Sequence, residues 1–388
     1  MSTDASRAEP LPPPLAGICV LDLSRLLPGP LCGQHLADLG ARVIKIEDPK
    51  VGDYVRPSIR ELANRGKEAL TLDLKSDAGR EIFFKLLDQA DVVLESFRPG
   101  VMRRLGLGYD VLSRQRPSVV HCAITGYGQS GRRRDFAGHD INYLALSGVL
   151  DQTGREAEAP VIPGFLISDI LGGTLTAAMG ILAALVGSRA TGHGRFIDVS
   201  MADAVLAHSV LPLAEFNETG RVHRRGKGSH TGGMPRYNVY AGRDGRYIAL
   251  GAQEKKFWEV LCNALGLPEL AARHQPTDEE APRVEAALQA KFRERDVGDW
   301  IALLEPLDCC VAPVLSFEEA LADPDFLARG TVRRSASSEW TLGLPFAMSD
   351  VRTPDRESPS RGQHTDTILE SLGYGREDVR QLREREVV

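Results

Sequence analysis

Asp169 is the most informative carboxylate in the chain, because it stands at the mouth of an almost wholly apolar run, 170–187. Two readings fit that place. As a helix N-cap it would accept an N–H bond from the first turn, worth ~1 kcal/mol. As a functional group it would be raised in pKa by burial and lowered by the helix N–H groups, so that its basicity is tunable. A second cluster, Gly138-His139-Asp140-Ile141-Asn142-Tyr143, gathers an imidazole, a carboxylate, an amide and a phenol in consecutive order. It either opens a helix, with Asp140 or Asn142 as the cap, or supplies an acid and a base for proton traffic near neutral pH. Glu254, in GAQEKKFW, reads as a helix first-turn glutamate favoured by the macrodipole. Basic residues recur in the first part of the chain: Lys45, Arg56, Arg65, Lys67, Arg98, Arg103 and Arg104. Arg98 directly follows a strand-like run, at the edge where open parallel sheets collect ligands, and arginine suits bidentate contact with phosphate.

The elements that must position these groups follow from the apolar pattern. ICVLDL (18–23), RVIKIED (42–48), ALTLDL (69–74), DVVLESF (91–97) and SVVHCAITG (118–126) read as strands. Helical spacing appears at 30–40, closed by Gly40, and at 77–90. Strands alternating with helices of this length mean βαβ units and a doubly wound parallel sheet. From 216 to 240 the chain is rich in Gly, Arg and His and reads as a long mobile connection, with the linker itself at 216–237. A hairpin at 238–252 with Asp244-Gly245 at its turn opens a smaller α+β domain, 238–330. The tail from 342, carrying Pro345, Pro354 and Pro359, reads as mostly extended.

The chain has 388 residues, 43% of them hydrophobic and 26% charged, with a net charge of −6. That balance excludes global disorder and argues against a general nucleic-acid or anionic-membrane binder. The run 170–187 falls short of the ~20 residues a span needs and holds four glycines, so it is expected as a helix buried in the core. The first fifteen residues are polar, then proline-rich, and read as a disordered tail rather than a signal peptide. Six cysteines without a CxxC suggest neither a disulfide framework nor a zinc site, and point to a reducing, cytoplasmic setting. GxGxxG, GxxxxGK[ST], GxSxG and HExxH are all absent, which lowers dehydrogenase, P-loop, serine-hydrolase and zinc-protease readings.

The run LDLSRLLPGPLCGQHLADLGARVIKIEDPKVGDYVR resembles the opening of the class III coenzyme A transferase family, which also contains the α-methylacyl-CoA racemases. NRGKEALTLDLKSDAGRE, ESFRPGVMRRLGLGYD, ITGYGQSG, GHDINYLALSG, GHGRFIDVSMAD, DGRYIALGAQEKKFW and GQHTDTILESLGY resemble its later blocks, in order. The resemblance implies a Rossmann-like large domain, 16–215, completed by the returning segment 331–388, a small α+β domain, and a homodimer of two interlocked subunits. It also implies an acyl-CoA substrate and no separate cofactor. In racemase members an aspartate and a histidine work on opposite faces of the α-carbon, and a glutamate of the small domain assists the histidine. Asp169, His139 and Glu254 fill those three positions. Transferase members instead use the aspartate at Asp169 as a nucleophile, through an anhydride and an aspartyl-CoA thioester, and are described without the histidine. The filled His139 position makes a 2-methylacyl-CoA racemase the first expectation and a CoA-transferase between small acids the alternative. Arg98 and Arg104 match basic positions that hold the CoA phosphates, and Asp140 and Tyr143 are expected against the CoA moiety. Asp48 stands where racemases commonly carry an arginine, so Lys45 or Lys50 is expected to take its part.

Overall fold

The structure, a computed structural model, describes residues 11–335, 338–349, 351 and 355–388. Residues 1–10 of the expected disordered tail, and Pro354, lie outside them. Packing begins at Leu15, which is buried and donates its N–H to the Leu39 carbonyl (2.9 Å).

The described residues form two compact units. The first takes the chain up to Ser147, then Phe165–His208 and Asp323–Val388; the second takes Gly148–Gly164 and Ser209–Ala322. In the first unit six strands form one parallel sheet: β1 (Cys19–Asp22), β2 (Arg42–Glu47), β3 (Glu68–Thr71), β4 (Val92–Glu95), β5 (Val120–Thr125) and β6 (Phe196–Ser200). Their order is β3-β2-β1-β4-β5-β6. The five strands expected from the apolar runs are all present. β6 is missing from the sequence reading because FIDVS is short and carries an acidic residue in its middle.

Alternate residues of these strands feed two apolar clusters, one on each face. Val20, Val43, Val92, Val120 and Ile124 pack with the long helix after Asp169, and Leu21, Ile44 and Val93 pack with Phe83 and Leu86. That second face also receives Ile368, Leu369, Val379 and Leu382, so the C-terminal segment returns to the sheet. It covers the edge strand β3, whose Ala69 and Thr71 N–H groups donate to His364 Nδ1 (3.0 Å) and Thr365 Oγ1 (3.2 Å). A bare edge strand is a template for unwanted pairing, and this contact closes it. The tail is therefore not mostly extended: Thr365–Ser371 and Arg376–Glu384 are helices. Their apolar residues recur at helical spacing, and the prolines all precede them.

The apolar run is a helix, but it is not wholly buried. Ala177, Ile181, Ala184 and Leu185 face the sheet, while Met179 and Val186 are 62% and 72% exposed. Ser168–Thr191 is the one helical stretch among the described residues long and apolar enough to cross a membrane. Its packed face is that of a core helix in a doubly wound domain.

In the second unit β7 (Tyr237–Ala241), β8 (Tyr247–Gly251) and β9 (Val311–Pro313) form an antiparallel sheet. The expected hairpin turns at Asp244-Gly245, with Gly245 at φ +76°. Trp258, Leu261, Leu288 and Trp300 fill the core beside it. The connection is more ordered than its composition suggests: 216–219 end the helix Val210–Thr219, and Arg225 is tied to Asp151 and to the Glu158 carbonyl.

Candidate active site

The strand order reverses between β1, which pairs with β2, and β4, which continues to β5. Ligands of open parallel sheets bind at such a switch point, beyond the carboxyl ends of the strands. Two cavities lie there within the first unit, of about 310 and 590 Å³, and both are lined by Arg25, Leu26, Ser96, Phe97 and Arg98. They form an inner chamber and an outer groove with a shared wall, in the size range of ligand sites.

His139 and Asp169 both line the inner chamber. His139 is exposed and sits at the N-cap of the helix Asp140–Leu146, with its backbone N–H donating to Asn142 Oδ1 (3.0 Å). Asp169 is half-buried and lies inside its helix rather than capping it, since the backbone is already helical at Ile167. The local pattern misleads here because the acceptor comes from elsewhere in the chain. Asp140 Oδ1 takes the Asp169 N–H at 3.0 Å. Burial first, and then the Asp140 carboxylate, push the Asp169 carboxyl up to about 6, while His139 pulls it down. The capping partner is thus also a tuning charge.

The turns that carry Asp169, Ser168–Leu175, are π-helical, a geometry common at functional sites. Two glycines let them approach the chamber wall. A Cβ on Gly172 would stand 2.7 Å from the Met201 carbonyl oxygen, and one on Gly173 2.7 Å from Pro28. Thr174 Oγ1 adds a bond to the Pro28 carbonyl (2.8 Å). Tyr143 is buried, donates its hydroxyl to the Gly138 carbonyl (2.6 Å) and meets Tyr127 edge-on. Burial pushes its phenol well above the usual range, so it acts as a neutral wall of the chamber.

The outer groove presents Arg98, Arg104 and Lys75, all exposed. Lys75 is a cation the sequence did not single out: it stands four residues past β3, and only the fold brings that loop to the groove. Lys45 is buried and lines neither cavity. Its ammonium pairs with Asp53 (3.1 Å) and donates to the Ser24 carbonyl. The register that sets it beside Asp22 turns it inward. Lys50 is engaged by Glu386 at 2.5 Å. Lys45 is thus spent on a buried pair and Lys50 on a surface pair, while the Asp48 carboxylate accepts the Lys50 and Val51 N–H groups.

What Lys45 does is structural. It belongs to a buried network in which Lys67 binds Asp22 (2.8 Å), Asn64 (2.8 Å) and the Pro30 carbonyl (2.6 Å). Asp53 receives the Leu26 N–H (2.5 Å) and so holds Leu26 at φ +67°, a strained backbone state for a branched residue. The network fixes from beneath the loop that lines both cavities. Glu254 lies in the second unit, exposed, at the N-cap of the helix Lys255–Ala264, and its side chain does not cap that helix.

The sequence profile of CoA-transferase family III matches residues 15–365. The chain belongs to this family. Its relatives are acyl-CoA racemases and CoA-transferases, and the family III chain is accordingly an enzyme. It is similar to the alpha-methylacyl-CoA racemase of Homo sapiens, with 36% identity covering 96% of this chain and 97% of that protein. It is also similar to the succinyl-CoA:glutarate CoA-transferase of Homo sapiens, with 31% identity covering 92% and 86%. Among solved structures it is similar to a CAIB/BAIF family protein from Brucella suis, with a TM-score of 0.82 and 29% identity, covering 93% of this chain and all of that one. The fold of this family III member is thus a mixed α/β architecture around a central parallel sheet.

Proposed function

We propose that this enzyme inverts the α-carbon of a 2-methylacyl-CoA by two-base proton transfer through an enolate. The observation that carries the reading is the pairing of His139 with a half-buried Asp169, raised to about 6, on one chamber. A thioester α-proton is weakly acidic, so a base has to stand on each face of the planar enolate. General acid–base groups work best with a pKa near the operating pH. One group takes the proton from one face, leaving the electron pair as enolate, and the other returns a proton to the opposite face. The next turnover of the other hand runs the same steps backwards. No electrons leave the substrate, so the reaction asks for no resident cofactor.

Arg98 and Arg104 are proposed to hold the phosphates of CoA along the outer groove, with Asp140 positioning Asp169, Tyr143 closing the chamber, and Glu254 assisting His139. We further propose that the enzyme works in the cytoplasm as an interlocked homodimer with 216–237 as the threading linker. Exposed apolar side chains on the first unit (Met179, Val186) and on the second (Val210, Leu211) support a second copy as their cover.

A second reading is CoA transfer between carboxylic acids, with Asp169 as nucleophile. The likeness to the human transferase favours it. Product analysis separates the two. Given pure (R)- or (S)-2-methylacyl-CoA, the enzyme is expected to form the opposite hand whether or not free succinate is present. Formation of succinyl-CoA without inversion would overturn the racemase reading.

A further inference from the structure

Arg25 is absent from the basic residues singled out in the sequence, yet it occupies the wall common to the two cavities. It follows β1 by three residues, and its backbone N–H donates to Ser96 Oγ (2.8 Å), beyond the end of β4. Its guanidinium carbon stands 5.3 Å from the centre of the Tyr54 ring and 5.1 Å from that of Phe97. Those rings come from the loops after β2 and β4, so the cation is braced from both sides of the switch point. Such contacts fix a guanidinium without using its N–H donors. Among the described residues Arg25 forms no salt bridge. Asp48, the carboxylate that feels its charge, is turned to the Lys50 and Val51 N–H groups.

We infer that Arg25 is a substrate-binding residue at the neck between the cavities, where its unpaired N–H edge grips the phosphate-bearing arm of the thioester and so sets how far the acyl end reaches toward Asp169. This rests on the proposed CoA-thioester substrate. A ligand that reacts beside Asp169 and extends past Arg98 and Arg104 has to pass Arg25. A rigid, unpaired guanidinium on that path matches phosphate oxygens bidentately, which an ammonium does not. The loop under Arg25 is held by Asp53 through Leu26, so the side chain is placed in advance.

The test compares phosphate-bearing with phosphate-free ligands. Arg25→Ala is expected to weaken binding of CoA itself, measured by calorimetry, by ~10–100-fold, the worth of a hydrogen bond to a charged group. Arg25→Lys, which keeps the charge and loses the fork, is expected to fall between Arg25→Ala and the unaltered enzyme, and serves if the alanine variant folds poorly. The same acyl group on pantetheine, without phosphates, is expected to lose far less kcat/KM through Arg25→Ala than the CoA thioester does. Unchanged CoA affinity, or equal losses on the two thioesters, overturns the assignment and leaves Arg25 a strut. If the unaltered enzyme does not bind CoA, the proposed substrate class fails, and the assignment with it.

Discussion

With His139 replaced by alanine, conversion of one hand of a 2-methylacyl-CoA into the other falls by ~10²–10⁴. The remaining base keeps one partial activity. Asp169 still faces the chamber, so it should still exchange the α-proton of one hand, and of that hand alone, with solvent. Two measurements on the variant check this: chiral analysis of the product, and NMR of the α-position in deuterated buffer. Exchange of one hand without inversion is the signature of two bases that divide the two faces between them. If both exchange and inversion survive unchanged, His139 is not one of the bases. A transferase with Asp169 as nucleophile would keep its acyl exchange through this substitution.

Asp169→Asn carries the second large effect. The amide matches the carboxylate in shape, and the Asp169 backbone bond to Asp140 is untouched by the change, so the fold should hold while inversion falls by ~10²–10⁴. Exchange of the hand that faces Asp169 should vanish, and that of the other hand should remain through His139. The unaltered enzyme has a matching pH dependence. The folded-state pKa of Asp169 is raised to about 6 by burial and by Asp140. The carboxylate therefore takes up its proton about two units above an ordinary aspartate, ~3.9. Protonation removes the base that one hand requires. Because both hands share one equilibrium, kcat/KM for the two directions should fall together as pH drops through about 6. An acid limb near ~4, the value of a solvated carboxyl, would contradict the tuned site.

The sheet was legible because β1 to β5 lie in short runs rich in apolar residues and are buried on both faces, a pattern visible in the chain alone. The site was legible in parts. His139 and Asp169 stood out by residue type and by their place before apolar stretches, and the fold brings both to one chamber. Lys45 was misread because a lysine in a strand looks like a ligand-facing cation. The β1–β2 register instead sets it beside Asp22, and buried acids consume its charge. Asp169 was open to a capping reading because local sequence shows the helix start only approximately; its true neighbour, Asp140, is brought in by tertiary contact. Arg25 could not be singled out without knowing that β1 and β4 are adjacent, which makes the loops after them the two sides of one neck. The C-terminal helices were hidden by the prolines before them, although Ile368, Leu369 and Leu372 already carried the helical spacing.

His139 and Asp169 are proposed to act on opposite faces of the same carbon. The most direct test is to run the unaltered enzyme in deuterium oxide on a single hand of 2-methylacyl-CoA, stop the reaction early, and separate the two hands. The newly formed hand is expected to carry one deuterium at the α-carbon in nearly every molecule, because the returning proton comes from a group that has equilibrated with solvent. A newly formed hand that retains the original hydrogen would contradict two-base transfer, since one base would then have carried the same proton from face to face.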